Sequence, residues 1–161
     1  MKVNIYIKII YHGKGYNENG NIIYELKNGN GKVKEYYDWN GKLEFEGEYL
    51  NGKRHGKGKK YYNGELIFEG EYLYGYRFKG KYYINERLEY EGEYLFYNKF
   101  NGKGFDEYGN IIYELKNGNG KVKEYYDDGK LKYEGEYLNG KSNGKGKEYD
   151  EYRNKINKKI I

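Results

Sequence analysis

The segment Gly20 to Asp38, GNIIYELKNGNGKVKEYYD, recurs letter for letter at Gly109 to Asp127, 89 positions further on. Internal repetition constrains a fold strongly, because each copy must bury its apolar side against its neighbours. A finer period lies inside it. Aromatic anchors at Tyr24, Phe45, Phe68, Tyr90, Tyr113 and Tyr133 follow one another at 21, 23, 22, 23 and 20 residues. The unit is therefore about 22 residues long, and the duplicate stands four units on. A partial unit, Tyr11 to Asn21, carries only the second half of the pattern.

One unit shows the physics. In Leu43 to Tyr49 (LEFEGEY), Leu43, Phe45, Gly47 and Tyr49 alternate with Glu44, Glu46 and Glu48. That is the period of a strand. Leu50 to His55 reads as a turn around Asn51-Gly52, a pair that accepts positive φ. Gly56 to Tyr62 alternates again as the return strand, so each unit is predicted to be a β-hairpin. If Gly58 pairs near Gly47, then Lys57 and Lys59 share a face with Glu46 and Glu48. Opposite charges across strands then help to set register, at a few tenths of a kcal/mol per pair. The bare backbone at Gly47, Gly56 and Gly58 leaves room for aromatic rings to lie over it, which accounts for glycine in strands it normally weakens.

A hairpin cannot bury an aromatic face alone, so the units must stack. The expected fold is all-β: a single-layer antiparallel β-hairpin solenoid. At ~10 Å per hairpin, about six to seven units give a ribbon of roughly 60–70 Å. It twists right-handedly and offers one aromatic and one charged face. Mean hydropathy is −1.22, a value that by itself points to disorder. The 25 Tyr, 25 Gly and 20% aromatic content argue the other way.

The chain divides into a cap strand (1–10, alternating Val3, Ile5, Ile7, Ile9), the repeats (11–149) and a basic tail (150–161). In the tail, Tyr149, Tyr152, Ile156 and Ile160 recur at helical spacing. A short C-terminal helix is expected to cover the last open strand edge. The first ten residues lack the apolar region of a signal peptide. No apolar run approaches the ~20 residues that span a bilayer. With no cysteine there is no disulfide framework, thiolate metal site or cysteine nucleophile. A cytoplasmic location, with membrane association through the tail as the variant, is the expectation.

The units resemble the MORN repeat (membrane occupation and recognition nexus): an aromatic, EGE with a second aromatic, an NGK turn, then GxG. The pattern stands as FEGEYLNGKRHGKGKKYY (Phe45–Tyr62) and YEGEYLNGKSNGKGKEY (Tyr133–Tyr149). Phe68–Tyr83 and Tyr90–Phe105 are looser copies. The two YELKNGNGKVKEYY units depart from it: Leu26 and Leu115 replace the Gly of EGE, and the hairpin is shorter. These two look like a bacterial, antitoxin-type variant of the repeat. The resemblance implies a non-catalytic module for scaffolding, dimerisation, docking of partner helices or peptides, and contact with acidic phospholipids. It implies no cofactor.

Residues that invite a chemical role have plainer explanations. Gly135 to Ser142 (GEYLNGKS) matches the phosphate-binding P-loop to the letter, yet both flanks read as repeat strands, where the loop needs a strand before and a helix after. His12 and His55 hold the same repeat position two units apart, ~20 Å at the strand spacing, and read as turn residues. Glu46 and Glu48 recur in most units as a solvated face paired with lysine. The near-neutral body argues against nucleic acid.

The aromatic face is the candidate surface, with Tyr49, Tyr72, Tyr94 and Tyr137, which hold one place in successive units, as the expected contacts for a partner peptide or helix. The alternative is a peripheral tether to anionic lipid through Arg153, Lys155, Lys158 and Lys159, with Ile156, Ile160 and Ile161 as the anchor. An antitoxin or immunity role is the third reading. Open end strands would also suit a homodimer.

Overall fold

A computed structural model describes residues 13–16, 21–126, 128–150 and 155–156. The described residues are strands and turns without helix. In chain order the strands are β1 (Gly13–Tyr16), β2 (Ile22–Leu26), β3 (Gly31–Tyr36), β4 (Leu43–Leu50), β5 (Lys53–Tyr62), β6 (Glu65–Leu73) and β7 (Tyr76–Ile84). There follow β8 (Arg87–Leu95), β9 (Asn98–Phe105), β10 (Ile111–Leu115), β11 (Gly120–Tyr125), β12 (Leu131–Leu138), β13 (Lys141–Tyr149) and β14 (Lys155–Ile156). Every paired neighbour is antiparallel and adjacent in sequence, and the sheets do not close into a barrel. The fold is the expected all-β hairpin ribbon.

The register is the one the charges ask for. Gly47 stands opposite Gly58, and Glu46 opposite Lys59. The same pairing continues outward, so that Gly47, Gly58, Gly70, Gly80, Gly92 and Gly102 form one row across β4 to β9. This row lies beneath the anchor rings. A Cβ on Gly58 would come within 2.7 Å of the Phe45 ring, and one on Gly80 within 2.7 Å of the Phe68 ring. Outside the row, Lys34, Glu46, Lys59, Glu69, Lys81, Glu91, Lys103 and Glu114 alternate in sign from strand to strand. Their contacts are long, 3.5–4.0 Å, and half exposed, so each pair adds little beyond register.

The ribbon is broken at two places, both in the exact duplicates. Three sheets result: β1–β2, β3 to β10, and β11 to β14. After the Lys27–Asn30 bridge, β2 and β3 part; after Lys116–Asn119, β10 and β11 part. Leu26 with Val33, and Leu115 with Val122, are buried at these points. The leucines stand where other units have glycine and fill the corner. The next strand then begins against the backbone of the last, since a Cβ on Gly31 would meet the Glu25 carbonyl oxygen at 2.5 Å, and one on Gly120 the Glu114 oxygen at 2.5 Å.

Three sequence expectations are corrected. The helix read from Tyr149, Tyr152, Ile156 and Ile160 gives way to strand at the described residues: Tyr149 ends β13, and Lys155–Ile156 pair with β13 as β14. An open strand edge offers backbone partners that a short, isolated helix lacks. The turn is only Asn51-Gly52, and Lys53 to His55 belong to β5, because a two-residue loop closes the hairpin. Finally, a bulge between Leu43 and Phe45 takes Glu44 off the face of Glu46 and Glu48. The cap strand 1–10 and His12 lie outside the described residues.

Candidate functional site

The aromatic face carries both the core and the candidate site. Its anchors Phe45, Phe68 and Tyr90 are fully buried, with Tyr113 and Tyr133 nearly so. Between them sit the tyrosines singled out from the sequence. Tyr72 meets Phe45 at 5.2 Å and Phe68 at 5.4 Å, in both cases edge to face. Tyr94 meets Phe68 at 5.7 Å and Tyr90 at 5.4 Å in the same way. Each ring staples its own unit to the one before, an arrangement that suits the ring quadrupoles. This explains why Tyr72 is 4% and Tyr94 7% exposed. Tyr49 and Tyr137 have a corner on one side instead of a unit, and stay half-buried.

Charged groups lie among these rings, which the alternation pattern did not foretell. At the start of each unit from β4 onward one bulged residue joins the aromatic face: Glu44, Ile67, Glu89, Ile112 and Lys132 in turn. Opposite the second tyrosine stands a residue of the return strand: Arg54, Arg77, Lys99 or Ser142. Arg54 lies 4.3 Å over the Phe45 ring and donates to Glu35 through Nε (3.0 Å) and Nη2 (2.8 Å), with Glu44 at 3.4 Å. Burial works against its charge, and the Glu35 carboxylate more than offsets this and raises its pKa. Tyr49 donates to the same Glu35 at 2.5 Å. Burial, then that carboxylate, push its phenol well above the usual range.

The second cluster is deeper. Glu89 is 5% exposed. Lys99 Nζ donates to both its oxygens, at 2.8 and 2.6 Å, and to the Tyr113 hydroxyl at 3.1 Å. That hydroxyl donates on to Glu89 at 3.2 Å. Burial first, and then Glu89, hold the Tyr113 phenol neutral far above its ordinary pKa. Repeat alignment could have found both clusters: Glu44 and Glu89 hold one position, and Arg54 and Lys99 each lie ten residues later.

Arg77 departs from this plan. Its place is that of Arg54, but the Glu35 position is Lys60 and the Glu44 position is Ile67. The guanidinium is stacked over Phe68 at 4.7 Å and Tyr82 at 5.1 Å. It makes no ion pair among the described residues. Beside it a cavity of about 120 Å³ opens where β11 to β13 fold back toward β7 to β9, with Tyr94, Lys99, Glu124, Tyr137 and the exposed Tyr97 on its walls. Glu124 accepts the Tyr137 hydroxyl. The Tyr94 hydroxyl is buried with no hydrogen-bond partner among the described residues, whereas the Tyr72 hydroxyl has the Arg77 guanidinium beside it.

At the turn edge, Tyr74 and Phe96 occupy the position that Asn28, Asn51, Asn117 and Asn139 hold elsewhere, with φ of 52° and 57°. Large side chains rarely accept that region. Both are exposed, together with Tyr97. Tyr76 packs on Phe96 at 5.6 Å and Tyr97 at 5.0 Å.

Other candidates fall differently. Gly135 to Ser142 spans the turn between β12 and β13, and the Gly140 N–H donates to Gly118 O at 2.9 Å rather than facing an open nest. His55 is on β5, 5.7 Å from the Tyr74 ring. Arg153, Lys158 and Lys159 lie outside the described residues, and Lys155 is described only as part of β14, opposite Tyr149. Among the described residues no group of three or more His, Asp or Glu gathers to hold a metal, and no helix is long and apolar enough to cross a membrane.

The MORN repeat family model matches residues 45–65 and 133–151. No curated protein matches the chain. MORN repeats are generally protein- or membrane-interaction modules, and the family is typically non-enzymatic. The matched stretches are the β4–β5 and β12–β13 hairpins, and the β6–β7 and β8–β9 hairpins between them repeat the same glycine row and anchor rings. The chain is a MORN-repeat protein.

Proposed function

We propose that this protein is a non-enzymatic interaction module that docks a partner peptide or helix on the rim of its aromatic face. The observation that carries the reading is the exposed aromatic edge. Tyr74 and Phe96 hold left-handed φ values where other turns have asparagine. Such strain costs about 1 kcal/mol or more per residue and persists where the side chain serves a purpose. Tyr97, 77% exposed, leads from this edge to the cavity wall beside Tyr94 and Tyr137. Large rings with polar tips suit peptide recognition at low entropic cost.

In this reading the four tyrosines divide the labour. Tyr49 and Tyr137 are contacts, and Tyr72 and Tyr94 hold the floor under them. The test is selection of binders from a random-peptide display library on the full chain. The comparison variant is Phe96→Asn/Tyr97→Gly, which restores the Asn-Gly turn the chain uses at Asn51-Gly52. Enriched peptides that lose binding to the variant are the expected result. Peptides that bind both proteins alike, or no enrichment at all, overturn the reading.

A further inference from the structure

We propose that the cavity beside Arg77 is a receptor for one carboxylate, supplied by an Asp or Glu side chain of a docked partner segment. This rests on the docking function proposed above and adds the chemistry of its central contact.

The argument begins with what the repeat leaves out. Arg54 has Glu35 and Glu44, and Lys99 has Glu89. Arg77 stands at the same position with Lys60 and Ile67 in place of the acids. A guanidinium among aromatic rings needs an anionic partner or water, and its planar fork matches a carboxylate in bidentate fashion. Arg77 is already stacked on Phe68 and Tyr82, so little rotamer freedom remains to be lost on binding. Lys60 brings Arg77 no counter-charge, since it is a cation itself and is paired with Glu44 at 3.7 Å.

The buried hydroxyl of Tyr94 is the second, independent observation. Tyr94 lines the same cavity, and its hydroxyl has no hydrogen-bond partner among the described residues. A buried hydroxyl left unpaired costs roughly 1–3 kcal/mol, and a ligand oxygen would satisfy it. Glu124, the carboxylate on the cavity wall, is engaged by the Tyr137 hydroxyl and forms no ion pair with Arg77. Lys99 on the same wall is neutralised by Glu89. A volume of about 120 Å³ accommodates a carboxylate and the methylene that carries it. Tyr97 and Phe96 on the rim would receive an apolar neighbour of the acidic residue.

The test uses the peptides selected on the full chain and two variants. Ile67→Glu places an internal carboxylate where Glu44 and Glu89 already stand, so the fold has precedent for it twice. Arg77→Met removes the receptor charge. Selected peptides are expected to share an acidic position, and changing it to Asn or Gln should weaken binding about tenfold, or 1.4 kcal/mol. On Ile67→Glu and on Arg77→Met that same change should matter less than about twofold. Far-UV circular dichroism confirms that each variant folds. If the acidic position counts equally on wild type and both variants, or if selected peptides share no acid, the receptor is refuted while docking stands. If no peptide is selected, docking itself falls and the receptor with it.

Discussion

Changing Tyr94 to Phe and Tyr113 to Phe removes the same atom from two buried rings, and the structure requires opposite outcomes. The Tyr94 hydroxyl is buried with no partner among the described residues, so the wild type carries an uncompensated desolvation cost. Replacing such a group by an apolar one of the same shape is neutral to stabilising, and about 1 kcal/mol of gain is expected. The Tyr113 hydroxyl accepts from Lys99 at 3.1 Å and donates to Glu89 at 3.2 Å. Hydrogen bonds to charged groups are worth about 1.5–3 kcal/mol, and Tyr113→Phe also leaves a buried pair with one bond fewer. A loss of about 2 kcal/mol follows. For a chain this long, 1 kcal/mol moves Tm by about 2–4 °C. Calorimetry should therefore place Tyr94→Phe a few degrees above wild type and Tyr113→Phe several degrees below, with urea midpoints in the same order. If both substitutions shift stability in one direction, the assignment of paired and unpaired hydroxyls is wrong.

Three further outcomes follow from the same contacts. Lys99→Met should cost about 3–5 kcal/mol by leaving Glu89 buried and alone, and adding Glu89→Ile, the side-chain type at position 67, should recover most of it; urea denaturation of both variants checks this. Tyr74→Asn should stabilise by about 1 kcal/mol, because asparagine accepts the left-handed φ of 52° with less strain, and the thermal midpoint reports it. Stability should also fall with rising pH above 10. Tyr61 and Tyr83 are pushed up to about 12, chiefly by burial and then by hydrogen bonds to Glu46 and Glu69, and Tyr90 and Tyr94 are raised further by burial. Above pH 10 the unfolded chain releases phenolic protons that the folded chain retains, so stability declines with pH until the folded phenols ionise. Urea midpoints from pH 7 to 11 should be flat and then descend, and a curve still level at pH 11 would count against it.

The parts of the fold that depend on neighbouring residues could be read directly. Period-two alternation placed Phe45, Phe68, Tyr90, Tyr113 and Tyr133 in the core, turn chemistry located Asn51-Gly52, and charge pairing set Gly47 against Gly58. What could not be read depends on one extra residue or on distant partners. A single bulged position moves Glu44 and Glu89 onto the ring face, and alternation has no way to register it. Leu26 and Leu115 were visible as departures, but that they end a ladder follows only once Val33 and Val122 pack beside them. The tail spacing suggested a helix, whereas the free edge of β13 takes Lys155–Ile156 as a strand. The burial of Tyr72 and Tyr94 was hidden for a similar reason: each ring is enclosed by the preceding unit, about 22 residues away.

The duplicates also show where this chain gains individuality. Residues 20–38 and 109–127 are the same sequence, and their strands, β2 with β3 and β10 with β11, fall at matching positions. Gly52 N–H donates to Gly29 O and Gly140 N–H to Gly118 O, both at 2.9 Å. Glu35 binds the Tyr49 hydroxyl, and Glu124 that of Tyr137. The copies diverge in what their neighbours supply. Arg54 stands opposite Tyr49, but Ser142 stands opposite Tyr137, so Glu124 lacks the cation that Glu35 has. Lys60 and Ile67 deprive Arg77 of its acids in the same manner. These departures come from units far apart in the chain, yet Arg77, Glu124 and Tyr97 line one cavity. Shared positions in a repeat supply the stacking that every unit needs. Positions where a unit breaks the pattern are released from that duty, and their convergence at one place on the aromatic face is what supports the docking reading proposed for it.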